Sequence, residues 1–594
     1  MVVNERIAAL RAKMAEHGID AYIIPSGDYH QSEYVGKHFT PREFITGYTG
    51  SVGTAVITAD DAALWVDGRY WIQAEAQLEG SCVRMFKMGV EGVDTLEEYL
   101  VKVMPQGGKL GFDGRVVAYE DGMKYAALLA DKGVSFEPSY DLVDQIWTDR
   151  PPLAENKAFI LEARYNGEST ASKLARLREK MRQVGATHHA IFTLDDIVWI
   201  MNLRGTTAPL FLSYFMMDMD GAALYIDEER LNPEIMQLLE NDGIKVKPYE
   251  GIYADISALP PSSVLLFDPN LVNYALARAL PEHCKKIEIP NPTLLMKACK
   301  NEVELENIRR AQIKDGIAQT KFMHWLKTNV GKIDMDEIGI GEKLREFRAE
   351  QEGFIRMAFH PIAAYREHAA MMHYRAKPES QKTIKAEHLL LTDSGGDYIE
   401  GSTDITRTYV LGAIDHEIKV HFTAVVRGVV NLSRTKFLKG VRGMNLDAIA
   451  RQPLWDVGVD YKSGTGHGVG YMTTIHEGPC RIRWEIPLDK PIQPPIDVGM
   501  VFSNEPGAYV AGSHGIRIEN EIVARLGEKN EHGQFLYFET ITFTPIDLDA
   551  ILPEMMLPAE KEFLNSYHKK VYELVASHMD EEQREWLKVY TREI

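Results

Sequence analysis

Apolar and charged positions alternate at helical spacing around Leu10-Arg11-Ala12-Lys13-Met14, and the string returns as Leu177-Arg178-Glu179-Lys180-Met181. Each copy predicts an amphipathic helix, with Gly18 or Gly185 placed to end it. Both helices lead into β-prone apolar runs, AYIIP at 21–25 and AIFT at 190–193, followed by Asp28 and Asp195. Further on, Leu64-Trp65-Val66-Asp67 and Leu224-Tyr225-Ile226-Asp227 read as one strand in two copies. The offsets are 167 residues (Leu10 to Leu177) and 160 residues (Leu64 to Leu224). Ordered matches at nearly one offset predict two related α/β domains, at 1–150 and 155–295. TDRPPLAENK (148–157) suits a linker, being polar and Pro-rich. A second break lies in NPTLLMKACKNEVELENIRRAQ (291–312), where an extended segment becomes a long helix. A third domain, 300–594, then reads as helices to about 352, strands and Gly-rich turns from 355 to 545, and a helical tail from 558. In that tail Phe563, Leu564, Tyr567, Val571, Leu574 and Val575 follow helical spacing.

Composition narrows the function classes. The 594 residues are 45% hydrophobic and 26% charged, enough apolar content for sizeable cores. The formal charge of −20 disfavours a phosphate backbone, so no nucleic-acid partner is expected. No apolar run approaches the roughly 18 residues of a membrane helix. The N-terminal run breaks at once into charges, unlike a secretory leader. The four cysteines lie far apart with no C-x-x-C pair, which argues against a disulfide framework or structural zinc. A cytoplasmic protein without a membrane partner is the expectation.

The chemistry concentrates after residue 300. An apolar strand ends at Asp393 before Ser394-Gly395-Gly396, and a second β-prone run begins at Asp404. A hairpin would set both aspartates on adjacent strands, although a single aspartate there serves equally as a turn cap. GTGHGVG (464–470) places His467 among four alternating glycines, and His476-Glu477-Gly478-Pro479 follows. The loop fails the G-x-G-x-x-G pattern, and H-E-x-x-H fails because Cys480 holds its last position. A lone histidine in such a loop is often structural; two beside an acidic hairpin are less easily so. Glu505 ends another apolar strand at a Pro-Gly turn. Alternation in IRIEN sets Arg517, Glu519 and Glu521 on one face, with Glu521 expected in a solvated salt-bridged row. Glu519 could ligate a cation while Arg517 orients the cluster. Two Asp, two Glu and one His are hard donors, and four carboxylates carry a charge that two divalent cations neutralise. The set suits Mn²⁺, with Co²⁺, Fe²⁺ or Zn²⁺ able to enter.

In order, Asp393, Asp404, His467, Glu505 and Glu519, with HEGP, NEPG and IRIEN, resemble the dinuclear metallopeptidases of the pita-bread fold. PSGDYHQSEY (25–34), GTAVIT (53–58), DGRYWIQA (67–74), WTDRP (147–151) and NLRG (202–205) extend the likeness over nearly the whole chain. It is similar to the three-domain cytosolic Xaa-Pro aminopeptidases. The resemblance implies two creatinase-like α/β domains before a pita-bread α+β catalytic domain with a C-terminal helical extension. It implies two divalent ions, bridged by Asp404 and Glu519, with Asp393 on one and His467 on the other. Glu505 would bind metal and act as general base toward the bridging water, giving the metal-bridging hydroxide that attacks. His476 would stabilise the tetrahedral intermediate, His373 would contact substrate near the proline, and Arg517 would support the ligands. The substrate would be a peptide with proline second, and the chain would form a homodimer. Ser463 stands where members often carry histidine, Ala508 where many carry tyrosine, and YREHAAMMHY precedes where a Gly- and Asn-containing turn is usual. The alternatives are a prolidase limited to dipeptides and a peptidase-like binding protein with impaired chemistry.

Overall fold

The computed structural model describes residues 2–485 and 493–594. The chain forms two compact units, Met1–Leu161 with Glu168–Leu294, and Glu162–Gly167 with Leu295–Ile594.

In the first unit the repeated strings occupy equivalent places in two sheets. α1 (Val3–Glu16) leads into β1 (Ala21–Pro25), followed by β2 (Thr54–Thr58), β3 (Ala62–Val66), β4 (Arg84–Lys87), β5 (Lys109–Phe112) and β6 (Ser135–Glu137). The sheet order is β4-β3-β2-β1-β5-β6, with β1 antiparallel to β2 and parallel to β5. α2 (Thr170–Val184) leads into β7 (His188–Ile191), then β8 (Tyr214–Asp218), β9 (Ala222–Tyr225), β10 (Ile244–Lys247), β11 (Val264–Phe267) and β12 (Lys285–Glu288). That order is β10-β9-β8-β7-β11-β12, with the same parallel and antiparallel neighbours. The Leu and Met of each repeated string are buried, and the charged residues between them are not. Each such side chain contributes about 2 kcal/mol on burial.

The structure reveals another matched pair, Phe112-Asp113 to Tyr119 and Phe267-Asp268 to Tyr274. Asp113 Oδ1 accepts the Arg115 N–H at 2.9 Å, and Asp268 Oδ1 accepts the Asn270 N–H at 3.0 Å. The two copies also bond each other. Tyr119 N–H donates to Val272 O and Tyr274 N–H to Val117 O, both at 2.9 Å.

The second unit opens with α3 (Glu302–Asn329), capped by the Asn301 side chain, and α4 (Glu337–Ala349). β13 (Ile362–Tyr365), β14 (Leu389–Ser394) and β15 (Ile405–Val410) form one antiparallel sheet with β14 central. A six-stranded sheet follows, from β16 (Lys436–Leu438), β17 (Gly466–Val469), β18 (His476–Ile482), β19 (Val501–Asn504), β22 (Asn520–Asn530) and β23 (Gly533–Thr540), in the order β16-β23-β22-β19-β17-β18. β20 (Gly507–Val510) and β21 (His514–Arg517) form a separate hairpin. The stretch from 355 to 545 is not all strand and turn, which corrects the expectation from its pattern. It includes α5 (His416–Ser433) and α6 (Gly443–Trp455), whose buried Ile418, Phe422, Val425, Val429 and Leu446, Ala450, Leu454 keep helical period. α7 (Pro558–Val575) and α8 (Glu581–Tyr590) form the tail. Its stripe packs on its own unit: Leu564, Tyr567, Val571 and Val575 share a core with Phe422, Val426 and Ile546. Among the described residues no helix is long and apolar enough to cross a membrane.

Candidate metal centre

Backbone pairing assembles the site. β14 lies antiparallel to β15 with Asp393 opposite Thr406, so Asp393 and Asp404 meet at adjacent strand ends. Gly395 permits the crossing, since a Cβ there would lie 1.9 Å from Thr403 O. β17 runs between β18 and β19. The glycines flanking His467 allow this, because a Cβ on Gly466 would stand 2.0 Å from Ser503 O and one on Gly468 2.4 Å from Glu477 O. Glu505 follows β19 and its N–H donates to Thr465 O at 2.8 Å. The β21 pairing ends at Arg517 and β22 starts at Asn520, which leaves Glu519 between them; its N–H donates to Thr406 O at 3.0 Å.

The side chains converge. Asp404, His467 and Glu519 each offer a ligand atom, and those atoms lie within 4.8 Å of one another. His467 Nε2 is 3.6 Å from Asp404 Oδ2 and 3.3 Å from Glu505 Oε1. The ring's Nδ1 lies 2.9 Å from Gly468 O, which acts only as acceptor; the proton therefore sits on Nδ1 and the Nε2 lone pair faces the carboxylates. Asp393 turns Oδ2 to Arg517 Nη2 at 2.5 Å, while its Oδ1 is buried with no hydrogen bond among the described residues. That oxygen and the Nε2 lone pair are what a cation takes.

The electrostatics agree. Burial pushes the Asp404 and Glu519 carboxyls well above the usual range, and each is raised further by the other acids of the cluster. Burial pushes Glu505 up to about 7, with Arg517 opposing and Asp393 adding to the rise. Crowded buried carboxylates of this kind ionise together only beside a compensating positive charge. Arg517 supplies part of it. Burial works against its guanidinium, but Tyr509, Asp393 and Glu505 hold it protonated. The residues fit a divalent metal centre.

His476 is brought to the cluster, its ring centroid 4.2 Å from that of His467. The turn carrying His373 is tied in through Arg517, whose Nη2 also donates to Met372 O at 3.3 Å. Several supporting residues carry no sequence signal of their own. Thr406 Oγ1 donates to Glu519 Oε2 at 2.9 Å and accepts from Arg517 Nε at 3.1 Å. Ser503 Oγ accepts the His467 N–H at 3.0 Å and donates to Glu505 Oε1 at 3.1 Å. Tyr509 OH accepts from Arg517 Nη1 at 2.7 Å. Only their places beside the motif residues, in DITRT, SNEPG and GAY, hint at them. The expectation for Glu521 is corrected: it is fully buried, and its Oε1 accepts the Asp404 N–H at 2.7 Å. Both faces of the strand are covered over residues 520–524, so alternation there does not separate core from solvent.

Known proteins share this whole organisation. The Creatinase/Prolidase N-terminal domain matches at residues 6–146 and again at 149–304, Metallopeptidase family M24 at 306–525, and the C-terminal region of peptidase_M24 at 534–594. "Aminopeptidase P2" of Arabidopsis thaliana is 35% identical over 100% of this chain and 89% of its own length. "Probable Xaa-Pro aminopeptidase P" of Talaromyces marneffei is 37% identical over 99% of this chain and 92% of its own. The solved X-prolyl aminopeptidase of Caenorhabditis elegans, described as a cytosolic enzyme with a di-nuclear active site, superposes with TM-score 0.95 at 30% identity and covers 100% of both chains. The chain therefore belongs to metallopeptidase family M24, in the Xaa-Pro aminopeptidase group that carries two creatinase-like N-terminal domains.

Proposed function

We propose that this protein is a dinuclear metal-dependent aminopeptidase that releases the first residue from peptides with proline second. The observation that carries the metal chemistry is the meeting of Asp404, His467 and Glu519 within 4.8 Å, beside the buried Oδ1 of Asp393. The full-length likeness to Xaa-Pro aminopeptidases supports the substrate class.

Asp393, Asp404, His467, Glu505 and Glu519 hold the ions, which supply Lewis acidity and a water ionised near neutral pH. The oxygen-rich set favours Mn²⁺. Arg517 and Thr406 fix the directions of Asp393 and Glu519. Glu505, oriented by Ser503, takes the proton of the attacking water and returns it to the departing nitrogen. That return matters here, because the Xaa-Pro bond is a tertiary amide whose nitrogen carries no hydrogen of its own. His476 donates to the scissile carbonyl oxygen as negative charge develops. His373 bears on the substrate near the proline ring. In this reading the domains divide at 1–150, 155–295 and 300–594.

Ala-Pro and Ala-Pro-Ala separate the activities. The metal-stripped protein, reloaded with Mn²⁺, releases alanine from the tripeptide and loses that release when stripped again. Cleavage of the dipeptide alone would make it a prolidase. Cleavage of neither, with two ions bound, would leave a binding protein. The reading extends to a cytoplasmic homodimer, the location supported by the likeness to a solved relative described as a cytosolic enzyme. The dimer itself rests on the family resemblance, and sedimentation velocity showing only a 67.1 kDa species removes it.

A further inference from the structure

The segment between β13 and β14 carries His373 and is held tightly. Arg366 enters it at φ +58°. Residues Arg366–Ala370 form a short 3-10 turn, and Tyr374 N–H closes on Met371 O at 3.0 Å. His373 is half-buried between buried Met372 and Tyr374. Gly515 of β21 lies so near that a Cβ would stand 1.8 Å from Ala369 O.

One carboxylate gathers this segment from both sides of His373. Glu337, the first residue of α4, is 1% exposed. Its Oε1 accepts from Tyr365 N–H at 2.8 Å and faces His368 Nδ1 at 2.9 Å. Its Oε2 accepts from Tyr374 OH at 2.8 Å and Lys382 N–H at 2.9 Å. An ionised carboxylate offers about four lone-pair positions, so these partners saturate it. Tyr365 and His368 precede His373; Tyr374 and Lys382 follow it. The turn is fixed from its other side where Arg517 Nη2 holds both Met372 O and the metal-site residue Asp393. Of the other ties on the segment, the Arg366–Glu387 ion pair is solvent-exposed and weak, and the Lys382–Glu367 pair is only half-buried. The buried anchor is Glu337.

We propose that Glu337 is a positioning residue that sets His373 against the substrate, a role resting on the reading of His373 given above. Saturation by fixed donors gives the turn one geometry. Losing one acceptor lone pair leaves a buried donor unmet and lets the turn move away from the cluster.

A kinetic cycle with His373 tests this on the full-length, Mn²⁺-loaded enzyme. Glu337→Gln keeps the shape but presents an NH₂ where a donor needs an acceptor. It should lower kcat/KM for Ala-Pro-Ala by about 10- to 100-fold, the scale of a displacement of about 1 Å. In a His373→Ala background the same change should cost less than about threefold, because the two act through one contact. Equal losses in both backgrounds, or loss of bound metal, would overturn the proposal. Should Glu337→Gln fail to fold, Tyr374→Phe removes a single donor and enters the same cycle with the same criteria. Limited proteolysis gives a readout independent of turnover. Cleavage within 366–382 should accelerate in Glu337→Gln and stay unchanged in His373→Ala. Unaltered cleavage refutes the anchor even if the peptidase reading stands. Accelerated cleavage in a protein that hydrolyses no Xaa-Pro peptide keeps the anchor and rejects only the peptidase reading.

Discussion

Glu505→Ala removes alanine release from Ala-Pro-Ala, lowering kcat by about 10³-fold or more, while the fold survives. Two functions leave with one side chain. Glu505 Oε1 faces His467 Nε2 at 3.3 Å, inside the ligand cluster, and is oriented by Ser503 Oγ. It is also the carboxylate proposed to take the proton of the attacking water and return it to the departing nitrogen. The fold should not suffer. Asp404 and Glu519 are each raised in part by the charge of Glu505, so its deletion relieves repulsion in the metal-free protein. The melting temperature of the stripped variant should equal or exceed that of the stripped wild type. Glu505→Gln separates the roles, since an amide oxygen still ligates but the group no longer accepts the water's proton. Both variants should be assayed for turnover, bound metal per chain and thermal melting. A Glu505→Gln enzyme that keeps metal and more than a tenth of wild-type kcat would sink the general-base assignment.

Much of this molecule is legible in its amino-acid sequence. The doubled N-terminal architecture is visible because its repeats fall on buried helix faces and strand centres, where a change of residue type is costly: Leu10 and Leu177, Leu64 and Leu224. Part of the proposed metal cluster is visible because Asp393 and His467 sit near residues with a backbone duty, Gly395, Gly466 and Gly468, and those duties leave strings in the sequence. The supporting residues are not visible. Thr406, Ser503 and Tyr509 are ordinary β-strand residues; Thr406 bonds the distant Glu519, Ser503 and Tyr509 bond the nearer Glu505 and Arg517, and in each case hydroxyl direction has no sequence signature. Glu337 lies farther still from any motif, and reads as a first-turn helix acid until the chain returns four donors to it. Glu521 misleads because period two assumes one wet face, and residues 520–524, where it lies, have none. Helices α5 and α6 are masked because the motif strings on either side of them are strands.

Metal binding should release protons, and its stabilising effect should grow as pH rises from about 5 to about 8. In the metal-free fold Glu505 is raised from 4.5 to about 7, and Asp404 and Glu519 are raised as well, by burial first and by the other acids next. A carboxyl raised on folding binds more protons in the native state than in the unfolded one. Through Glu505 alone, the metal-free protein therefore loses stability as pH rises from about 4.5 to about 7, and the loss is complete above that window. Divalent ions reverse the balance, because they require these carboxylates ionised and stabilise them in that form. The stripped protein should melt at progressively lower temperature from about pH 5 to about pH 8, while the Mn²⁺-loaded protein holds nearly level above about pH 7. Calorimetric titration with Mn²⁺ at about pH 6.5, in two buffers of different ionisation enthalpy, counts the protons directly. Release of about one proton or more per chain is the expected result. Asp404→Asn, which removes one raised acid, should lower that count and flatten the melting curve of the stripped form. A separation between loaded and stripped melting temperatures that narrows with pH, or binding without proton release, would mean that the cluster is already ionised without metal. The deficit of positive charge on which the metal assignment rests would then be met by Arg517 alone.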